Sequence, residues 1–172
     1  MRKANYDKFP STKLTGMLVQ GWDIIISMLK EKMDARKVLA VDLYTGVYEE
    51  EVLDAFSKEF SGRVMNVRDL MKPEKEIQTL TERFMTEDVL FGYVTNLKLE
   101  DYLDADKVAA ARKQISEAKD AIVIIGTGAS VVAPQDAMVV YADMARWEIQ
   151  QRFRRHEVKA LGIDNRNDAV SL

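Results

Sequence analysis

Lys37-Val38-Leu39-Ala40-Val41-Asp42-Leu43 is the stretch that decides the fold class. Val38 to Val41 are four apolar residues in a row, with no polar alternation. That pattern predicts a strand buried on both faces, as in a parallel sheet. Downstream, Tyr44-Thr45-Gly46 forms a turn, and a helix is predicted from about Tyr48 to Phe60 with Val52, Phe56 and Phe60 on its apolar stripe. Ser61-Gly62 closes that helix with the expected C-terminal glycine. Val64–Val67 reads as a second strand. Lys72-Pro73 opens a helix near Glu74, with Ile77, Leu80 and Phe84 facing inward. Residues 86–102 read as loop with short pieces of regular structure. Asp104–Ala118 is a predicted helix, Ala121–Ile125 a third buried strand, Met138–Ala142 a fourth, and Ala145–Leu161 a final helix.

Upstream, Leu18, Trp22, Ile25, Leu29 and Met33 recur at spacings of three and four and predict one helical face. Lys30, Lys32 and Arg36 suit the negative pole of that helix. Tyr6 to Pro10 reads as an extended arm. The order of elements predicts an α/β fold: a mostly parallel sheet flanked by helices in three layers. Residues 1–36 are expected to form an arm and a helix packing on the sheet, and residues 37–172 the core, in one domain overall. The polar tail, Asp164–Leu172, adds no closing strand, and the chain is expected to be part of a longer protein.

Composition narrows the function classes. The 172 residues suit one domain with a core of its own. A net charge of −3 gives no support to nucleic-acid binding. The absence of cysteine excludes disulfides, thiolate nucleophiles and cysteine-ligated zinc, and fits a reducing, cytoplasmic setting. No apolar leader opens the chain and no apolar run approaches the length of a membrane span, so no membrane partner is expected. The one histidine, His156, is expected at the edge of the apolar face of the last helix, half-buried and structural.

In parallel sheets, ligands bind beyond the C-terminal ends of the strands. At the first such end, a phosphate-binding loop needs glycines and a lysine. Here Gly46 stands alone, and Glu49, Glu50 and Glu51 fill the first helical turn. These carboxylates stabilise the helix start and would repel a triphosphate. The third strand ends in Gly126-Thr127-Gly128-Ala129-Ser130. It reads either as a tight turn leaving the sheet or as a backbone nest lining a ligand cleft, and Val131, Val132 and Pro134 do not look like a helix opening on phosphate. The fourth strand ends at Asp143, and the helix behind it carries Arg146, Arg152, Arg154 and Arg155. They suit phosphate or carboxylate, or a solvated face with pairs such as Glu148–Arg152. Asp69, just past the second strand, is either a general base or an ordinary turn or cap residue.

Ala121-Ile122-Val123-Ile124-Ile125-Gly126, then Met138 to Asp143, then Arg146 and Arg152, resembles the late part of uridine-kinase-type P-loop enzymes. Ile149 and Gln150 stand where those kinases place two further arginines, and the glycine-rich loop with its lysine is missing. Tyr6-Asp7-Lys8 with Pro10, Gly21-Trp22, Phe91-Gly92 and Tyr141 to Glu148 are similar to the N-terminal part of long bacterial proteins of the class I mannose-6-phosphate isomerase type. There a kinase-like segment precedes a zinc-dependent cupin. The resemblance implies a non-catalytic or regulatory kinase-like domain in carbohydrate metabolism. Its degenerate phosphate loop would hold no cofactor, and zinc would belong only to a following cupin isomerase domain. The alternative is an active nucleoside or sugar kinase with an atypical loop, using ATP and Mg. Gly46, Gly126, Gly128, Asp143, Arg146 and Arg152 would then meet a nucleotide or sugar phosphate, with Asp69 as base. A third reading is an interaction domain that self-associates around Trp147 or Phe91.

Overall fold

The computed structural model describes residues 10–13, 15–33, 37–88 and 92–168. The predicted arm at Tyr6 to Phe9, together with Arg36 and Phe91, lies outside the described residues. Four strands, β1 (Val38–Leu43), β2 (Arg63–Asn66), β3 (Ile122–Gly126) and β4 (Met138–Ala142), form one all-parallel sheet in the order β2-β3-β1-β4. Every residue of β1 and β3 is buried, as the unbroken apolar runs demanded.

Alternation along β1 sorts its side chains into two cores. Leu39, Val41 and Leu43 join Val123 and Ile125 under helices α1 (Trp22–Met33) and α2 (Glu49–Glu59). Phe56 is the anchor there, 1% exposed, with Trp22 edge-on at 6.4 Å. Val38 and Ala40 join Ile122, Ile124 and Met65 on the opposite face. That face is covered by α3 (Glu74–Glu82), α4 (Ala105–Glu117), the one-turn helix α5 (Ala129–Val132) and the 3-10 turn Val67–Leu70. Asp104 starts α4 by accepting the N–H groups of Asp106 and Lys107 at 3.0 Å, a side-chain cap. The chain is thus an α/β three-layer fold with a parallel sheet in the middle.

Four expectations shift. The first helix begins at Trp22, not Leu18, because Gly21 takes a positive φ of 101° and breaks the run; Leu18 is exposed. Its buried side chains are Ile26 and Met33, with Trp22, Ile25 and Leu29 half-buried beside them. Val67 leaves the second strand and is buried in the 3-10 turn that follows. The Gly126-Thr127-Gly128 turn does open a helix, α5, although only for one turn before Pro134.

The last helix, α6, spans Arg146–Arg154 and not Ala145–Leu161. It stops in a Schellman arrangement. The N–H of His156 donates to the Phe153 carbonyl and that of Glu157 to the Arg152 carbonyl, each at 3.0 Å. His156 takes the left-handed conformation, φ 57°, that this motif places after the cap. It is exposed, not half-buried, and Ala160 is no longer on the helix with Ile149 and Phe153. An L-residue in this conformation is strained by roughly 1–2 kcal/mol, partly offset in practice by the greater chain entropy of glycine. His156→Gly should therefore raise stability by about 0.5–1 kcal/mol. A higher urea midpoint at unchanged slope would register it.

Candidate functional site

The sheet order fixes where a ligand would sit. From β1 the chain crosses β3 to reach β2, and from β3 it crosses β1 to reach β4. The connections leave two adjacent strands in opposite directions, so the switch point lies between the C-terminal ends of β1 and β3. A crevice of about 150 Å³ opens beyond these ends. Its walls come from the β1–α2 loop, the end of β2 and the segment that follows α6.

Asp42 is the buried charged side chain at the switch point, 7% exposed. Period-two alternation puts it on the same face as Ala40, toward α5. Its Oδ1 accepts the Gly128 N–H at 2.9 Å, and its Oδ2 accepts the Ser130 N–H at 3.0 Å and the Ser130 hydroxyl. Gly128 is bent to φ 92° to aim its N–H this way. The Gly128 and Ser130 N–H groups of this turn are therefore both taken by the protein's own carboxylate.

The β1–α2 loop is held just as firmly. Arg152 donates to the Gly46 carbonyl at 3.0 Å, lies 3.6 Å over the ring of Tyr48, and is paired with Glu148 at 3.2 Å. Gly46 has φ 93°, and a Cβ there would come within 3.0 Å of Ile149. The three glutamates at the start of α2 each have a partner of their own. Glu49 pairs with Arg68 at 3.1 Å, Glu50 with Lys159 at 2.9 Å, and Glu51 accepts the Trp22 indole N–H at 2.9 Å.

Residues 157–161 and Arg166 return to line the crevice. Val158 is buried, the Tyr48 hydroxyl donates to Glu157 at 2.6 Å, and Arg155 pairs with the same carboxylate at 2.7 Å. Arg155, then Tyr48, hold the Glu157 carboxyl down to about 2. Arg166 does the same for Asp164, also to about 2, and Lys159 lowers Glu50. These groups are exposed, so each pair adds only modestly to stability. The sign is nevertheless definite: a depressed carboxyl stabilises the fold above its ordinary value and stops doing so as pH falls through the depressed one. Amide exchange across 157–166 should accelerate as pH falls from 4.5, the ordinary glutamate value, toward about 2, after correction for intrinsic rates. Protection unchanged to the acid end would show that these pairs do not hold the segment.

The residues singled out from the sequence do not converge. Gly46 lines the crevice, and Arg152 reaches its edge as a support for the loop. Gly126 is buried, with φ 135°, and a Cβ there would lie 2.9 Å from that of Val67. Its requirement for glycine is thus steric. Asp69 is exposed on the 3-10 turn, and its neighbour Arg68 lines the crevice instead. Asp143 is exposed and accepts the N–H of Met144, and Arg146 is exposed at the start of α6. Two features were missed: Asp42 as the acceptor for the Gly126–Ser130 stretch, and the returning segment with Glu157 and Lys159. Asp42 had one readable signal, a lone carboxylate inside an otherwise apolar buried strand. Among the described residues no group of three or more His, Asp or Glu side chains is placed to hold a metal ion. Among them, too, no helix is long and apolar enough to cross a membrane.

Comparison with known proteins adds one finding. The model of a family described as a domain of unknown function, DUF8485, matches residues 21–172. No curated protein and no solved structure matches.

Proposed function

The chain belongs to the DUF8485 family, and we propose that it is a non-catalytic, regulatory kinase-like module in which the backbone donors at the switch point are taken by the protein's own side chains. One observation carries the reading: the Asp42 carboxylate takes the Gly128 and Ser130 donors at the switch point. An incoming phosphate would have to displace a buried carboxylate that already satisfies those N–H groups. In the crevice itself an incoming phosphate would meet Glu49 and Glu50, and the cations Arg68 and Lys159 that line it are paired with those two glutamates. Asp69 is exposed and does not line the crevice, which supports reading it as a turn residue and not as a general base. The resemblance to the segment that precedes the cupin in mannose-6-phosphate isomerase-type proteins supports a setting in carbohydrate metabolism, with regulation of a partner isomerase as the role.

Thermal unfolding with and without millimolar Mg-ATP tests the proposal. A ligand at a hundred times its Kd adds about 2.7 kcal/mol, which for a chain of this size raises Tm by roughly 5–10 °C. The module reading predicts no such rise with Mg-ATP. A rise of that size, or phosphoryl transfer to a sugar or nucleoside that Asp69→Ala abolishes, would establish the active-kinase alternative in its place.

A further inference from the structure

Charge in the crevice is neutralised pair by pair. Among the described residues six charged side chains line it. Glu49 pairs with Arg68 at 3.1 Å, Glu50 with Lys159 at 2.9 Å, Glu157 with Arg155 at 2.7 Å and Arg166 with Asp164 at 2.6 Å. An entering anion would find every cation engaged and a carboxylate close by, and an entering cation would find the converse.

The uncharged polar groups are arranged differently. Asn66 ends β2, Thr127 follows β3, and Thr45 follows β1; these three strands are successive neighbours in the sheet, and all three residues line the crevice. With neighbouring strands about 4.8 Å apart, such a row spans on the order of 10 Å. Asn66 spends its side-chain oxygen on the Arg68 N–H at 2.8 Å. Among the described residues, neither its amide nitrogen nor the hydroxyl of Thr45 or Thr127 has a hydrogen-bond partner. Beside this row Leu53, Met71 and Val158 supply apolar wall. Tyr44, 46% exposed, adds an aromatic ring, with Tyr141 edge-on to it at 6.3 Å.

On the reading that nucleotide is excluded, we propose that this crevice binds a small uncharged polyhydroxylated molecule, a single sugar ring or a shorter polyol. A hydroxyl both donates and accepts, so ligand hydroxyls can satisfy two threonine hydroxyls and an amide N–H together without a mismatch. Polarised C–H groups of the same ligand suit the negative face of an aromatic ring. Size agrees. Drug-sized ligands occupy pockets of about 300–1,000 Å³, and the crevice has about 150 Å³.

The test uses one ring in three charge states. Glucose, glucose 6-phosphate and glucosamine are titrated into the full chain to millimolar levels, with ribose and glycerol as further uncharged probes and Mg-ATP in a separate arm. Backbone amide signals are followed in a nitrogen–proton correlation spectrum. The expected result is a saturable shift of the Thr45 and Thr127 signals with an uncharged probe, and weaker binding of both charged sugars than of glucose. Thr127→Val should weaken that binding about 3–10-fold; Thr45→Val is the second variant should the first unfold. Glu50→Gln, which frees Lys159, should raise the affinity for glucose 6-phosphate relative to glucose about 3-fold. No shift with any uncharged probe, tighter binding of a charged sugar, or an unchanged ratio in Glu50→Gln would each overturn the proposal. If Mg-ATP leaves Gly128 and Ser130 in place, such a failure strikes the ligand class alone; if Mg-ATP shifts them, the module reading falls and the proposal falls with it.

Discussion

Asp42→Ala should lower stability by about 3–5 kcal/mol, through loss of hydrogen bonds to a charged acceptor and exposure of orphaned donors. The wild-type carboxylate satisfies the Gly128 N–H, the Ser130 N–H and the Ser130 hydroxyl. A buried donor left without a partner costs about 1–3 kcal/mol, and Gly128 sits in a fully packed turn between β3 and α5. Ser130 is exposed at its side chain, so water would recover part of its share. Asp42→Asn is the sharper variant. It keeps the shape and one acceptor, but its amide group turns a donor toward Ser130, so it should lie between wild type and alanine. For a chain of this length a loss of about 3–5 kcal/mol corresponds to a fall in Tm of roughly 6–20 °C. An Asp42→Ala variant as stable as wild type would mean that the carboxylate does not hold the switch point closed.

Gly126→Ala should be nearly as damaging, by about 2–5 kcal/mol, from backbone strain and overpacking together. The residue has φ 135°, a region that side-chain-bearing residues rarely enter. An added Cβ would lie 2.9 Å from the Cβ of Val67 and 3.4 Å from its backbone N. Val67→Ala should not rescue it, because the Cβ and the backbone of that residue remain. This outcome separates a structural from a ligand-binding role. Were Gly126 present to admit a phosphate, the substitution would change ligand affinity and leave the urea midpoint near wild type.

The parts of the fold that were legible in the sequence are those decided by local periodicity. Val38 to Val41 and Ile122 to Ile125 announced doubly buried strands, and Val52, Phe56 and Phe60 announced the inner face of α2. The end of α6 was not legible. Ile149, Phe153 and Ala160 keep a helical spacing, but the helix is stopped by a left-handed histidine rather than by the glycine that normally marks such a stop. The site was legible only in its negative features, the missing lysine and the three glutamates. What takes the donors and the cations there depends on contacts between residues more than eighty positions apart, Asp42 with Gly128 and Ser130, and Glu50 with Lys159. Local spacing reads Arg152 either as a phosphate ligand or as the partner of Glu148; it pairs with Glu148, and the reach of its guanidinium to the Gly46 carbonyl and the Tyr48 ring was not legible from that spacing.

The backbone amide signals of Gly128 and Ser130, followed in a nitrogen–proton correlation spectrum during titration with Mg-ATP, test most directly whether Asp42 keeps the donors at the switch point. With Asp42 as their acceptor, both signals should stay in place through millimolar nucleotide. A saturable shift of these two signals, accompanied by loosening of residues 157–166, would show that phosphate displaces the carboxylate and would contradict the account.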